Sequence, residues 1–190
     1  MAALDLDFSG ISALLVDDNP LMRRMVRTAL ESFQLGEVKE ASDGANALSL
    51  LSGGYAADIL VVDYHMPNMN GLGLTNALRN APNSPNKFIT IFMVTANSNW
   101  AQIAAARDAG VNEFLAKPLT ARALLYAIAG SVRNPRPFVE TDGYFGPDRR
   151  RHPYREIAFP DRRTVPARYP TAAGLDQQAI ETLLNRNTAS

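Results

Sequence analysis

Asp17, Asp18, Asp63, Thr95 and Lys117 are the residues whose types and placement carry chemistry in this chain. Each ends or follows a short apolar run: Ala13–Val16 before the paired acids, Ile59–Val62 before Asp63, Ile89–Val94 before Thr95, and Glu113–Ala116 before Lys117. Three carboxylates brought together repel one another, and at neutral pH they call for a cation. An oxygen-only ligand set with few protein groups suits Mg2+, which keeps several waters and bridges readily to a phosphoryl oxygen. Lys117 adds a second positive charge, and Thr95 offers a hydroxyl donor. The five together are complementary to in-line phosphoryl transfer onto a carboxylate, where positioning and charge neutralisation carry the catalysis.

These residues meet only if the chain folds so that the ends of its apolar runs converge. With Glu37–Ala41 there are five such runs, and helical patterns lie between them near 20–33, 44–52, 71–80, 99–109 and 120–132. Three of the runs are continuously apolar, as strands covered on both faces must be. Asn19-Pro20 supplies an N-cap and a proline for the first helical turn, while Asp43, Asn70, Ser98 and Thr120 can cap the others. Alternation of this kind implies an α/β fold: a doubly wound parallel sheet with right-handed crossovers and helices on both faces. Such a sheet binds ligands beyond the C-terminal ends of its strands, where strand order reverses.

As a set, four motifs resemble the receiver domain of two-component response regulators, most closely its chemotaxis-type single-domain branch. They are Leu14-Leu-Val-Asp-Asp-Asn-Pro-Leu-Met-Arg-Arg24, Asp63 followed by Met66-Pro67 and Gly71, Thr95-Ala96, and Lys117-Pro118. The resemblance spans residues 9–132. It implies a flavodoxin-like five-stranded sheet in order 2-1-3-4-5 with five flanking helices. By the same resemblance Asp63 is the phospho-acceptor and Lys117 the phosphate-binding lysine. Thr95 is the switch hydroxyl, and Phe114 is the aromatic that follows it. Asp18, Asp63 and the backbone carbonyl of His65 would hold Mg2+, with Asp17 acting through a metal-bound water. The implied partners are a histidine kinase or phosphotransfer protein upstream and a protein target downstream. The target would be read through the face built from 99–109, 113–116 and 120–132; whether that face also forms a homodimer is left open. The resemblance implies a signalling phospho-acceptor rather than an enzyme, with only Mg2+-dependent self-phosphorylation and self-dephosphorylation. One departure is Asn70, where the family often has Asp; Asn caps a helix as well as Asp does.

Plainer readings exist for each residue alone. Asp17-Asp18 can serve a helix N-terminus through its dipole, Asp63 can cap a loop, and a strand aromatic such as Phe114 is usually core. A lone loop histidine is more often neither ligand nor relay, although in the family the positions of His65 and Asn97 influence attack of water on the acyl phosphate. It is the joint placement that argues for a site. An Asp/Mg2+/Lys/Thr cluster also suits a phosphatase-like enzyme, but no substrate-capping domain or second acidic catalyst is evident.

The remaining chain is different in texture. Residues 1–130 hold 9 basic and 12 acidic side chains, whereas 131–190 hold 10 and 7, so a zero net charge hides an acidic body and a basic tail. The expected organisation is a receiver over 1–132, a Pro/Arg-rich irregular arm or linker over 133–170, and a short amphipathic helix and tail over 171–190. Seven prolines in 133–170 argue against a helix or a central strand there. Arg149-Arg-Arg151, Arg155 and Arg162-Arg163 with neighbouring tyrosines support a second functional reading, a basic arm that binds nucleic acid or a nucleotide. Arg150-Arg-His-Pro-Tyr-Arg155 also resembles the arginine signature of cyclic-di-GMP-binding PilZ domains, but the rest of that signature and the barrel length are missing. The expectation is therefore an arm packing its aromatics on the receiver or staying mobile, with nucleic acid not a primary partner. The absence of cysteine excludes disulfides and thiolate chemistry. No basic leader and no span of about 20 apolar residues is present, which points to a cytoplasmic protein.

Overall fold

The computed structural model describes residues 7–81, 85–96, 99–149 and 164–165. Five parallel strands, β1 (Ser12–Val16), β2 (Glu37–Ala41), β3 (Ile59–Asp63), β4 (Thr90–Thr95) and β5 (Glu113–Ala116), form a sheet in the order β2-β1-β3-β4-β5. Five helices alternate with them: α1 (Pro20–Ser32), α2 (Gly44–Ser52), α3 (Gly71–Asn80), α4 (Trp100–Ala109) and α5 (Ala121–Arg133). The α/β fold and the strand order are those expected. The central strands β3 and β4 are buried at every position, because helices cover both of their faces.

Side-chain alternation divides the core in two. Leu15, Val61, Phe92 and Val94 point to the side packed by Leu30, Leu124 and Ile128 of α1 and α5. Leu14, Leu60, Val62, Ile91 and Met93 point to the other, packed by Ala47, Leu74, Leu78 and Ala106 of α2, α3 and α4. Strand pitch therefore decides which helices each residue meets.

Local capping begins four of the helices as expected. Asn19 accepts hydrogen bonds from the Leu21 and Met22 amides, Asp43 from Asn46, Asn70 from Gly73 and Thr120 from Ala123. The fifth differs. The Asn99 carboxamide caps α4, accepting from the Gln102 amide at 2.8 Å, and Ser98 lies outside the described residues.

The chain after α5 holds more regular structure than its prolines suggested. Strands β6 (Phe138–Thr141) and β7 (Tyr144–Pro147) form an antiparallel hairpin, and β8 (Thr164–Val165) pairs with the other edge of β6. Thus β6 is central in a small second sheet, because Pro135 and Pro137 precede it and Pro147 falls at the last position of β7. Gly143 turns the hairpin at φ +80°, a conformation that favours glycine. The residues 150–163 and 166–190 lie outside the described residues. They include Arg150, Arg151, Arg155, Arg162, Arg163 and the expected helix near 175–185. Among the described residues no helix is long and apolar enough to cross a membrane.

Candidate functional site

The strand register sets the site. Val16 pairs with Val62, so Asp17 and Asp63 leave adjacent strands side by side. Asp63 pairs with Val94 and Thr95 with Ala116, which brings Thr95 and Lys117 to the same end of the sheet. Backbone hydrogen bonds hold the loops together there. The Lys117 amide donates to Thr95 O at 2.8 Å, and the Tyr64 amide donates to Val94 O at 2.8 Å. The Lys117-Pro118 peptide is cis.

Carboxylate oxygens of Asp17, Asp18 and Asp63 all lie within 4.8 Å of one another. Asp17 and Asp63 are buried, at 5% and 6% exposure, while Asp18 opens to solvent. The Lys117 ammonium bridges the two buried acids, 3.2 Å from Asp17 Oδ2 and 3.0 Å from Asp63 Oδ2. Burial pushes the Asp63 carboxyl above its ordinary pKa. The Lys117 ammonium pulls it back, and Asp17 and Asp18 push in the same direction as burial. For Lys117, burial pulls downward, but the hydrogen bond and charge of Asp63, with those of Asp17, hold the ammonium above its ordinary value.

Second contacts orient the acids. Asp17 Oδ1 accepts from the Asn19 amide at 2.8 Å, tying the acid to the cap of α1, and Arg23 donates to Asp17 O at 2.7 Å. Gly71 is required by a close approach: a Cβ there would stand 2.4 Å from Asp63 O. The start of α3 thus presses against the backbone of the candidate acceptor. Likewise a Cβ on Gly44 would meet the Met69 side chain at 2.7 Å, so α2 supports the loop that follows β3.

A match to the response regulator receiver domain family covers residues 13–129. The chain belongs to that family. Among curated proteins, this receiver is similar to the chemotaxis protein CheY of Pseudomonas aeruginosa, with 40% identity over 111 residues, 58% of this chain and 87% of that protein. It is also similar to CheY-3 of Vibrio cholerae, with 38% identity over 60% of this chain and 86% of that one. Among solved structures, CheY4 of Vibrio cholerae matches with TM-score 0.59 and 29% identity, covering 64% of this chain and 98% of that one. These likenesses place the receiver in the chemotaxis-type, single-domain branch of two-component signalling.

Within the receiver, Asp17, Asp18, Asp63 and Lys117 form one contact group, as expected. Thr95 is buried beside them at 1% exposure. Phe114 is half-buried and packs against the core side shared by α2, α3 and α4. His65 is exposed, with its ring edge toward Tyr64 at 4.7 Å between centroids. It does not join the acid cluster through its side chain; the expected contribution was its backbone carbonyl alone.

Sequence reasoning missed Arg79. This arginine is fully buried at the opposite end of the sheet, where its guanidinium donates to Gly110 O, Lys87 O, Ile89 O and Asn112 Oδ1. The helical period carried a signal: Gly71, Thr75 and Arg79 are four apart, and all three are buried on one stripe of α3.

Proposed function

We propose that this receiver accepts a phosphoryl group on Asp63 from a histidine kinase or phosphotransfer protein and signals in the cytoplasm by phosphorylation-dependent protein binding. The observation that carries this reading is the Lys117 bridge between buried Asp17 and Asp63, beside the exposed Asp18. A buried acid pair clamped by an ammonium and open on one side suits a cation and a tetrahedral anion together.

The donor set fits Mg2+: three carboxylates within 4.8 Å, with oxygen as the only ligand type. Asp18 and Asp63 with the His65 carbonyl would hold the ion, and Asp17 would hold one of its waters. Bound there, Mg2+ would neutralise charge on the phosphoryl oxygens during transfer. One Asp63 oxygen attacks phosphorus while the bond from phosphorus to the donor nitrogen breaks. That electron pair leaves with the donor imidazole. Lys117 moves from a carboxylate pair to a carboxylate and a phosphoryl oxygen, keeping its charge compensated. The Thr95 hydroxyl donates to a second phosphoryl oxygen. Lys117 and Thr95 act on the transferred group itself, and no separate substrate is turned over.

Output through the α4–β5–α5 face is supported by its exposure. Trp100 is 87% exposed at the start of α4, and Phe114 is half-buried in β5. Helix α4 begins five residues after Thr95 in the chain.

Titration with acetyl phosphate or beryllofluoride in Mg2+, followed by Trp100 fluorescence, tests the reading. The wild type is expected to respond and Asp63→Asn to be silent. A silent wild type, or an undiminished response in Asp63→Asn, rejects it.

A further inference from the structure

At the end of the sheet away from the acids, the hairpin β6–β7 is seated on the last turn of α4. A Cβ at Gly110, the α4 C-cap, would meet Phe145 O at 2.9 Å, and one at Gly146 would meet Gly110 Cα at 2.8 Å. The two backbones touch there because both positions are glycine. Arg149, just past β7, pairs with Asp108 of α4 at 3.2 Å and lies over the Tyr144 ring at 3.9 Å. Phe145 and Phe138 wedge against Phe88, with centroids 5.3 and 5.4 Å away. Lys87 sits over the Phe145 ring at 3.8 Å, and Phe138 covers the Arg79 guanidinium at 4.9 Å. This hairpin follows the segment matched by the receiver family.

Although Arg79 donates to the C-cap of α4 at Gly110 O, in apolar contact the body of the receiver holds this helix less firmly than the helices around it. Its buried residues are only Ala106 and Ala109, whereas α3 buries Leu74 and Leu78 and α5 buries Leu124, Leu125 and Ile128. Alanine buries little apolar surface, so sliding α4 forfeits less than sliding a leucine-anchored helix. In its first turn, Gln102 Oε1 is buried with no hydrogen-bond partner among the described residues, which is a cost of the present placement of α4. A helix of 10 residues transmits a displacement at one end to the other. The first turn of α4 begins five residues after Thr95 in the chain, and the last turn adjoins the hairpin.

We propose that the β6–β7 hairpin is a clamp on the C-terminal end of α4 that favours the receiver state with Lys117 bridging Asp17 and Asp63 and opposes the phosphoryl-bound state. The proposal rests on the receiver reading above. The contacts to Gly110 and Asp108 belong to the present position of α4, so they weigh on whichever state keeps it there. Reciprocity then requires that occupancy of the acid site loosen the hairpin by the same factor by which the hairpin weakens occupancy.

The test uses the full chain with Mg2+ and beryllofluoride. Phe145→Ala is expected to bind beryllofluoride about fivefold more tightly or better, read by Trp100 fluorescence, within the usual range of coupling between sites. In the wild type, saturation with beryllofluoride is expected to speed amide hydrogen exchange across 138–147 by a similar factor. That second measurement needs no mutation and stands if Phe145→Ala fails to fold. An unchanged or weaker affinity in a folded Phe145→Ala, or unchanged hairpin exchange on saturation, overturns the clamp and leaves the receiver reading intact. A wild type that does not bind beryllofluoride overturns both.

Discussion

The two ends of the parallel sheet treat buried charge in opposite ways. At the C-terminal end of the strands, three acids crowd within 4.8 Å and are compensated in part by one ammonium. At the other end, one guanidinium is enclosed and all four of its hydrogen bonds go to neutral oxygens, from 2.7 to 3.1 Å. Burial pushes the Arg79 pKa down to about 9, yet four of its five N–H donors have acceptors and the ring of Phe138 covers the face. The acid end has charge left over, so a cation or a phosphoryl group can change it. The arginine end has its hydrogen bonds committed, so it holds α3, the approach to β4 and the start of β5 in one arrangement. Excess charge makes a responsive site, while hydrogen bonds spread over several segments make a rigid one.

The contrast is sharpest in paired stability measurements. Arg79→Leu strips donors from the Lys87, Ile89 and Gly110 carbonyls and from Asn112 Oδ1, which keeps the Ile91 amide, and each oxygen left dry and unpaired costs about 1–3 kcal/mol. A loss of about 3 kcal/mol or more in urea unfolding is expected. Little or no loss would mean that water replaces the guanidinium and the end is not rigid.

Cation binding separates the two ends next. A ligand present at about a hundredfold over its Kd stabilises the native state by about 2.7 kcal/mol. Mg2+ at that excess is expected to raise the unfolding free energy by an amount of that order in wild type and in Arg149→Ala, and by far less in Asp63→Asn. An equal rise in all three would place the cation elsewhere.

Asp63→Asn itself, measured in EDTA, is expected to stabilise the fold and raise its Tm. The sign follows from the raised carboxyl pKa, caused first by burial and opposed by Lys117. The folded state binds the Asp63 proton more tightly than the unfolded chain does. Stability therefore falls as pH rises through the window between the ordinary carboxylate value and the raised folded one. The advantage of Asp63→Asn should then be full above the raised folded value and vanish below about pH 4. An advantage that persists at low pH would assign it to packing instead. Lys117 acts at the alkaline side: its raised pKa contributes stability that is present below its ordinary value and lost as pH rises through the folded one.

The smallest effect belongs to Arg149→Ala. Both partners of this ion pair are partly exposed, at 40% and 53%, so the change in stability should stay below about 1 kcal/mol. A larger loss in thermal unfolding would show that the hairpin, like Arg79, is part of the rigid end.

Much of the acid end was legible from the chain itself. Asp17, Asp63, Thr95 and Lys117 each sit at a strand end, and in a parallel sheet strand ends converge whatever the side-chain details. The opposite end was harder to read. Arg79 looks like an ordinary basic residue in the last turn of a helix, and its burial depends on Lys87, Gly110, Asn112 and Phe138 arriving from other segments. The hairpin was hidden by proline count. Prolines bar strands only where an amide must be donated, and Pro137 and Pro147 flank or end the paired residues. The α4 cap fell one residue from its expected place, at Asn99 rather than Ser98.

By itself, then, the sequence determined the sheet, its five helices and the five residues that could meet beyond β1, β3, β4 and β5, because apolar periodicity and capping are local properties. Tertiary structure decided that Lys117 spans Asp17 and Asp63 rather than pairing with one of them. It also decided that Arg79 is enclosed and that the residues after α5 return to grip α4. Those outcomes depend on contacts between residues far apart in the chain, and no local pattern encodes the distance at which such groups come to rest.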